Sequence, residues 1–186
     1  MYGYSNEQAV NYKKNLPNYL TYFRIVVIPL LIVAFYLPGR WTDIFCAGLF
    51  LLASLTDWLD GYVARLWNVQ TNIGRFLDPI ADKLLVATAL VLLVAVDRAD
   101  ALPAIAIVCR EILVSGLREF LAEIRVSVPV SRLAKWKTGV QMTAIFCLLL
   151  GSPVAMLGEF MLWLAAILTL VTGYAYLKTG LKHMVD

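Results

Sequence analysis

The chain has 186 residues, of which 61% are hydrophobic and only 16% charged. Soluble domains run at roughly 45–50% apolar and about 25% charged, and a mean hydropathy of +0.75 excludes an ordinary soluble globule. Disordered, collagen-like and disulfide-scaffold classes are excluded as well. The formal charge of +3 comes from 16 Lys and Arg against 13 Asp and Glu. That excess is too small to argue for nucleic acid.

Residues 1–19 are polar, with no apolar core that would mark a signal peptide. Ser5 with Gln8 fits a capping box, which predicts a short surface helix ahead of the membrane. A membrane-spanning helix needs about 20 residues to cross about 30 Å of hydrocarbon. Six stretches qualify: residues 20–37, closed by Pro38 and Gly39; 44–65; 79–96; 102–122; 138–157; and 159–177. The third opens on Pro79, a residue suited to a first helical turn. Charge interrupts the fourth, and Gly151-Ser152-Pro153 interrupts the fifth. The predicted fold is all-α: a single polytopic membrane domain, residues 1–186, with six transmembrane helices. Six crossings place both termini on one side.

The distribution of bases says which side. Lys13, Lys14, Arg65, Arg75, Lys83, Arg125, Arg132, Lys135, Lys137, Lys178 and Lys182 fall at the ends that the N-terminus shares. The opposite loops carry only Arg40 and Arg98. The positive-inside rule makes both termini cytoplasmic. Cys46, Cys109 and Cys147 each lie in an apolar run and read as small buried residues, not as a disulfide or metal site. Trp41, Trp58, Trp67, Trp136 and Trp163 lie mostly near predicted helix ends, as an interfacial aromatic belt requires. His183, in the C-terminal tail, reads as a surface residue.

The second and third helices share an oddity. Residues 44–56 are 13 uncharged residues, followed by Asp57 and Asp60. Asp82 and Lys83 precede another 13, residues 84–96. At 1.5 Å per residue each run reaches only about 20 Å, so the acidic turns sit within the cytoplasmic third of the bilayer. An ionised Asp at mid-membrane costs roughly 2.5–3.5 kcal/mol on insertion scales, less toward the interface. Four such residues call for a cation or a wet cavity.

Asp57 and Asp60 are three apart and share a helix face, as do Asp78 and Asp82, four apart. A loop over residues 66–77 joins the two helix ends. Side-by-side packing would bring four carboxylates to one depth. Oxygen donors without His or Cys suit Mg²⁺, Mn²⁺ or Ca²⁺ rather than zinc. Two divalent ions would neutralise the four charges and favour phosphoryl or phosphatidyl transfer by clamping phosphate oxygens. Gly61 and Ala64 leave room for a ligand or a neighbouring helix. Gly74, one turn before Asp78, allows close backbone approach. Arg65 could pair with a phosphate or act as a positive-inside anchor.

The pattern D-x2-D-G-x2-A-R-x8-G-x3-D-x3-D runs from Asp57 to Asp82 through Asp60, Gly61, Ala64, Arg65, Gly74 and Asp78. Eight fixed identities at usages near 5–8% coincide by chance less than about once in a billion starts. The pattern resembles the signature of the CDP-alcohol phosphatidyltransferase family, with no change of spacing. The segment Asn15-Leu16-Pro17-Asn18-Tyr19-Leu20-Thr21-Tyr22-Phe23-Arg24 is similar to the family's N-x-P-N-x-L-T-x-x-R. Asp78-Pro79-Ile80-Ala81-Asp82-Lys83, Arg110-Glu111-Ile112, Leu117-Arg118-Glu119 and Lys135-Trp136-Lys137-Thr138 with Gln141 and Met142 resemble its phosphatidylglycerophosphate synthase branch. Ala134 stands where that branch commonly carries Gly.

The resemblance implies a CDP-linked lipid bound on the cytoplasmic side of the inner membrane, and an alcohol that displaces CMP from the lipid-bearing phosphate. It implies Asp57, Asp60, Asp78 and Asp82 as ligands of Mg²⁺ or Mn²⁺, with Asp82 taking the proton of the attacking hydroxyl. Asn18 and Thr21 would line the cytidine pocket, and Asp57, Gly61, Ala64, Arg65, Gly74 and Asp78 would border the CDP-lipid. The branch implies CDP-diacylglycerol and glycerol-3-phosphate as substrates, phosphatidylglycerophosphate as product and commonly a homodimer. An anionic acceptor needs cations. Arg110, about 12 Å along its helix from Leu102, lies well inside the bilayer, and either pairs with Glu111, Glu119 or an Asp or faces the cavity. Arg110, Arg118 and Lys135, with Lys137, are the candidates for the acceptor's phosphate; the lysines could instead meet anionic headgroups. Two alternatives stand: a relative using inositol phosphate, serine or phosphatidylglycerol, and a cation transporter using the Asp cluster. A neutral acceptor would not need three cations, and carboxylates gathered toward one side disfavour transport.

Overall fold

The computed structural model describes the backbone of residues 4–39, 41–67, 72–124, 126, 132–152 and 154–185. Within these it describes the side chains of residues 19–39, 41–57, 59, 77–124, 126, 133–152 and 154–180. The described residues form six helices and no strand: α1 (Tyr4–Phe35), α2 (Thr42–Trp67), α3 (Asn72–Ala95), α4 (Ala101–Glu123), α5 (Arg132–Leu150) and α6 (Ala155–Val185). The all-α class and the number of helices agree with the apolar periodicity. Several boundaries do not.

α1 is continuous from Tyr4, so Ser5 lies within one long helix and does not open a separate short one. α3 begins at Asn72, and Pro79 sits inside it. Of the expected loop over 66–77, residues 66–67 and 72–77 are helical, and residues 68–71 lie outside the described residues. Proline inside a helix forfeits one backbone hydrogen bond. Burial of Ala81 and Leu85 on the same helix and the tie from Asp78 to α1 outweigh that loss. α5 starts at Arg132 and stops at Leu150, because Gly151 turns left-handed at φ 71° and the chain reverses there. α6 then opens at Ala155, earlier than expected.

The chain divides into two compact units, Met1–Thr88 and Ala89–Asp186. In the first, α1 packs along α2. α1 buries Thr21, Arg24, Val27, Leu31 and Ala34, a stripe repeating every three or four residues. α2 answers with Cys46, Ala47, Leu49, Phe50 and Ala53. In the second unit, α6 packs against both α4 and α5. Small residues on α6 permit close approach. A Cβ at Gly158 would stand 2.8 Å from Leu148 Cγ and 3.0 Å from the Leu148 amide of α5. A Cβ at Gly180 would stand 3.0 Å from Leu117 of α4.

The turn between α3 and α4 closes by local bonds. Asp97, at φ 55°, occupies the left-handed position that Asp tolerates. The Arg98 amide donates back to the Leu93 carbonyl at 2.9 Å. Asp100 caps α4 by accepting from the Leu102 amide at 3.1 Å.

Outer faces of both units are apolar. Val26 and Val33 on α1, Val91 on α3, Ile112 on α4 and Ile167 on α6 are all more than half exposed. Among the described residues one helical stretch alone is long and apolar enough to cross a membrane, Ala155–Gly180, with mean hydropathy 1.9. Tyr19–Phe35 is apolar but shorter.

Candidate active site

The carboxylates of the first unit are organised by one face of α1. Thr21 and Arg24 lie one turn apart on its buried stripe, and the Arg24 side chain is 0% exposed. A cation cut off from water needs a counter-ion. Arg24 Nη1 meets Asp57 Oδ1 of α2 at 2.6 Å. Thr21 Oγ1 donates to Asp78 Oδ1 of α3. One turn of α1 thus gathers two carboxylates, one from each of two helices, that lie 21 residues apart in sequence. Asp57 and Asp78 are close enough to act on each other electrostatically.

Neither carboxylate is sealed in. The Asp57 side chain keeps 36% of its surface exposed, and Asp78 is half-buried. Asp82, one helical turn beyond Asp78, is half-buried as well. Lys83 Nζ reaches the Pro79 carbonyl at 3.0 Å. The donors fit a hard divalent cation: carboxylate oxygens arriving from two helices and partly open outward. Among the described residues, no three or more His, Cys, Asp or Glu side chains that could hold a metal come together. Asp60, on the Asp57 face of α2, lies outside the described side chains, as do Gly61, Ala64, Arg65, Gly74 and Asn18.

The second unit holds a polar layer inside an apolar interior. Arg110 and Glu111 enter from α4, Lys137 and Gln141 from α5, Thr169 and Thr172 from α6. Arg110 Nη1 lies 3.2 Å from Glu111 Oε1, and Nη2 donates to Thr172 Oγ1 at 3.2 Å. Lys137, 3% exposed, donates to the same Glu111 Oε1. One carboxylate therefore meets two cations from two helices. Arg110 Nε and Gln141 Oε1 are buried with no hydrogen-bond partner among the described residues. Gly173 clears the path of the arginine: a Cβ there would stand 2.9 Å from Arg110 Cγ and 3.3 Å from Nε.

The structure separates the other two cations from this layer. Lys135 is two residues before Lys137, a rotation of about 200° on an α-helix. It is exposed and lines an open groove of about 450 Å³ with Trp136, Gly139, Val140, Thr143 and Met161. Arg118 is exposed, with its guanidinium 5.7 Å from the centre of the Tyr176 ring. Of the four candidate cations, the structure brings together Arg110 and Lys137.

Three contributors carry no role in the sequence reading. Arg24 was legible as the one charge inside the apolar stretch of α1. Thr172 and Gly173 carry no such signal, since Thr and Gly are common in apolar helices. Thr21, expected at the cytidine pocket, donates to a motif carboxylate.

A family model, CDP-alcohol phosphatidyltransferase, matches residues 14–171. A Rickettsia felis protein named CDP-diacylglycerol–glycerol-3-phosphate 3-phosphatidyltransferase is 52% identical over 176 residues, covering 91% of this chain and 97% of its own length. Proteins of the same name from Sodalis glossinidius and Pectobacterium atrosepticum are 46% and 43% identical, each covering 92% of this chain and 98% of its own length. The motif from Asp57 to Asp82, the carboxylates gathered on α1 and a match spanning most of the sequence agree: this chain belongs to the CDP-alcohol phosphatidyltransferase family.

Proposed function

We propose that this protein transfers the phosphatidyl group of CDP-diacylglycerol to sn-glycerol-3-phosphate, giving phosphatidylglycerophosphate and CMP. The observation that carries the reading is the α1 face on which Arg24 holds Asp57 and Thr21 holds Asp78. It is supported by relatives of that enzyme name at 43–53% identity over about nine-tenths of the chain. The 186 residues act as one catalytic domain embedded in the inner membrane, with six crossings and cytoplasmic termini. The many exposed large apolar side chains of α1, α3, α4 and α6 support burial in lipid, because soluble proteins rarely leave so many of them in water.

Asp57, Asp60, Asp78 and Asp82 would hold two Mg²⁺ or Mn²⁺ ions. Bound there, the metal supplies charge stabilisation to the pyrophosphate as CMP departs. Arg24 sets the Asp57 carboxylate from behind, and Thr21 does the same for Asp78. Asp82 accepts the proton of the attacking acceptor hydroxyl. Asn18, Gly61, Ala64, Arg65 and Gly74 border the CDP moiety. In the second unit, Arg110 and Lys137 take the acceptor's phosphate, with Arg118 and Lys135 as further cations. The displacement is direct, with the acceptor oxygen forming the new P–O bond as the bond to CMP breaks.

The test is CMP release from CDP-diacylglycerol with a panel of acceptors. Turnover is expected with glycerol-3-phosphate in Mg²⁺ or Mn²⁺, and none in EDTA until metal is restored. Turnover with inositol phosphate or serine in place of glycerol-3-phosphate would overturn the assignment of the acceptor.

A further inference from the structure

We infer that Glu111 is a positioning residue for the acceptor's phosphate, acting through Arg110 and Lys137. The inference rests on the proposed role of those two cations. Glu111 Oε1 accepts from Arg110 Nη1 at 3.2 Å and also from Lys137 Nζ. Thr172 takes the other arm of the guanidinium at 3.2 Å. The two bonds to Arg110 fix the plane of its fork, which a single bond would leave free to turn. Lysine has no such plane. Its charge sits on a flexible four-carbon stem and is placed only by what it touches.

Lys137 and Arg110 come from different helices, 27 positions apart in sequence. Side by side in a partly buried layer they repel, and each would draw away toward water if nothing lay between them. Glu111 is the anion between them. Because one carboxylate meets two cations, the layer keeps a net positive charge and still attracts a phosphate. Glutamine would keep an accepting oxygen and lose the charge that holds two cations together. A carboxylate does not itself bind a phosphate, so its effect on the acceptor passes through its two partners.

The experiment uses the full-length enzyme in mixed micelles with CDP-diacylglycerol, reading CMP release. Glu111→Gln is expected to raise the KM for glycerol-3-phosphate about tenfold, as loss of a charge-assisted hydrogen bond would. The KM for CDP-diacylglycerol should stay within about twofold, and Glu111→Asp should recover part of the loss. In a Lys137→Gln background, Glu111→Gln should add clearly less than about tenfold, because one of the two contacts that Glu111 makes is already gone and only the one to Arg110 is left to lose. An unchanged KM for glycerol-3-phosphate, a KM that falls, equal rises for both substrates, or fully additive effects would each overturn the inference. If Glu111→Gln does not fold, Glu111→Asp carries the test alone: a selective rise in the acceptor KM is required. Arg110→Gln and Lys137→Gln separate the two levels. If neither moves the acceptor KM, the proposed role of the cations fails. If both do and the Glu111 variants do not, only this inference fails.

Discussion

Replacing Gly173 with Ala puts a methyl group where the Arg110 side chain now passes. The new Cβ would stand 2.9 Å from Arg110 Cγ, 3.3 Å from Nε and 3.7 Å from Cδ. Carbon atoms rest at about 3.5–4.0 Å, so Arg110 must retreat by about 0.6 Å or more. Cγ lies near the root of the side chain, so the far end cannot simply swing aside. Both Nη atoms are tied at 3.2 Å, to Glu111 and Thr172, and a shift of that size takes those bonds beyond hydrogen-bonding range. Overpacking costs about 1–3 kcal/mol. The expected outcome is a lower unfolding midpoint in detergent, together with a raised KM for glycerol-3-phosphate. Gly116 on α4 is the control. A Cβ there meets nothing within 4 Å, so Gly116→Ala should leave stability unchanged or raise it by up to about 1 kcal/mol through helix propensity. Equal midpoints and equal KM for Gly173→Ala and wild type would refute the idea that α6 sets the position of Arg110.

Four further outcomes are expected. Asp57→Asn weakens the charge-assisted contact that buried Arg24 makes with a partly exposed carboxylate and should destabilise the protein by about 1–3 kcal/mol, whereas Asp82→Asn should abolish turnover in a protein that unfolds near the wild-type midpoint. Retained CMP release in Asp82→Asn would remove Asp82 as the proton acceptor. Gly158→Ala drives a methyl to within 3.0 Å of the Leu148 amide of α5, and thermal unfolding should show a loss of about 1–3 kcal/mol; an unchanged midpoint would mean that α5 and α6 are not held this close. Lys137→Gln should raise the acceptor KM more than Lys135→Gln, because Lys137 is buried on the Glu111 carboxylate and Lys135 faces an open groove; the reverse order in steady-state kinetics would argue against that division.

Much of the architecture was legible in the sequence because it follows from local rules. Apolar runs bounded by Pro, Gly and charge marked six helices. The fourth matched to within a residue, since Asp100 caps it and the following turn ends it. Pro79 is chemically at home in a first turn, which points to a helix start there, whereas α3 begins seven residues further back at Asn72 and its Asp78 is tied to Thr21 of α1. The break at residues 151–154 was visible as Gly-Ser-Pro, but its depth was not: an interruption and a full reversal look alike until a left-handed Gly151 is seen.

The sequence by itself determined the chemical inventory: four carboxylates at helical spacing, 16 Lys and Arg, and a composition that is 61% hydrophobic. Those properties depend on residue identity and on intervals of a few positions, which helix geometry converts directly into a shared face. Only the tertiary structure decided the partners. Arg24 chose Asp57, Thr21 chose Asp78, and Glu111 took both Arg110 and Lys137 while leaving Lys135 on another face. Those pairings span 26 to 57 positions or turn on which side of a helix meets its neighbour. Close packing at residues such as Gly158 and Gly173 sets that, and no periodicity along the chain encodes it.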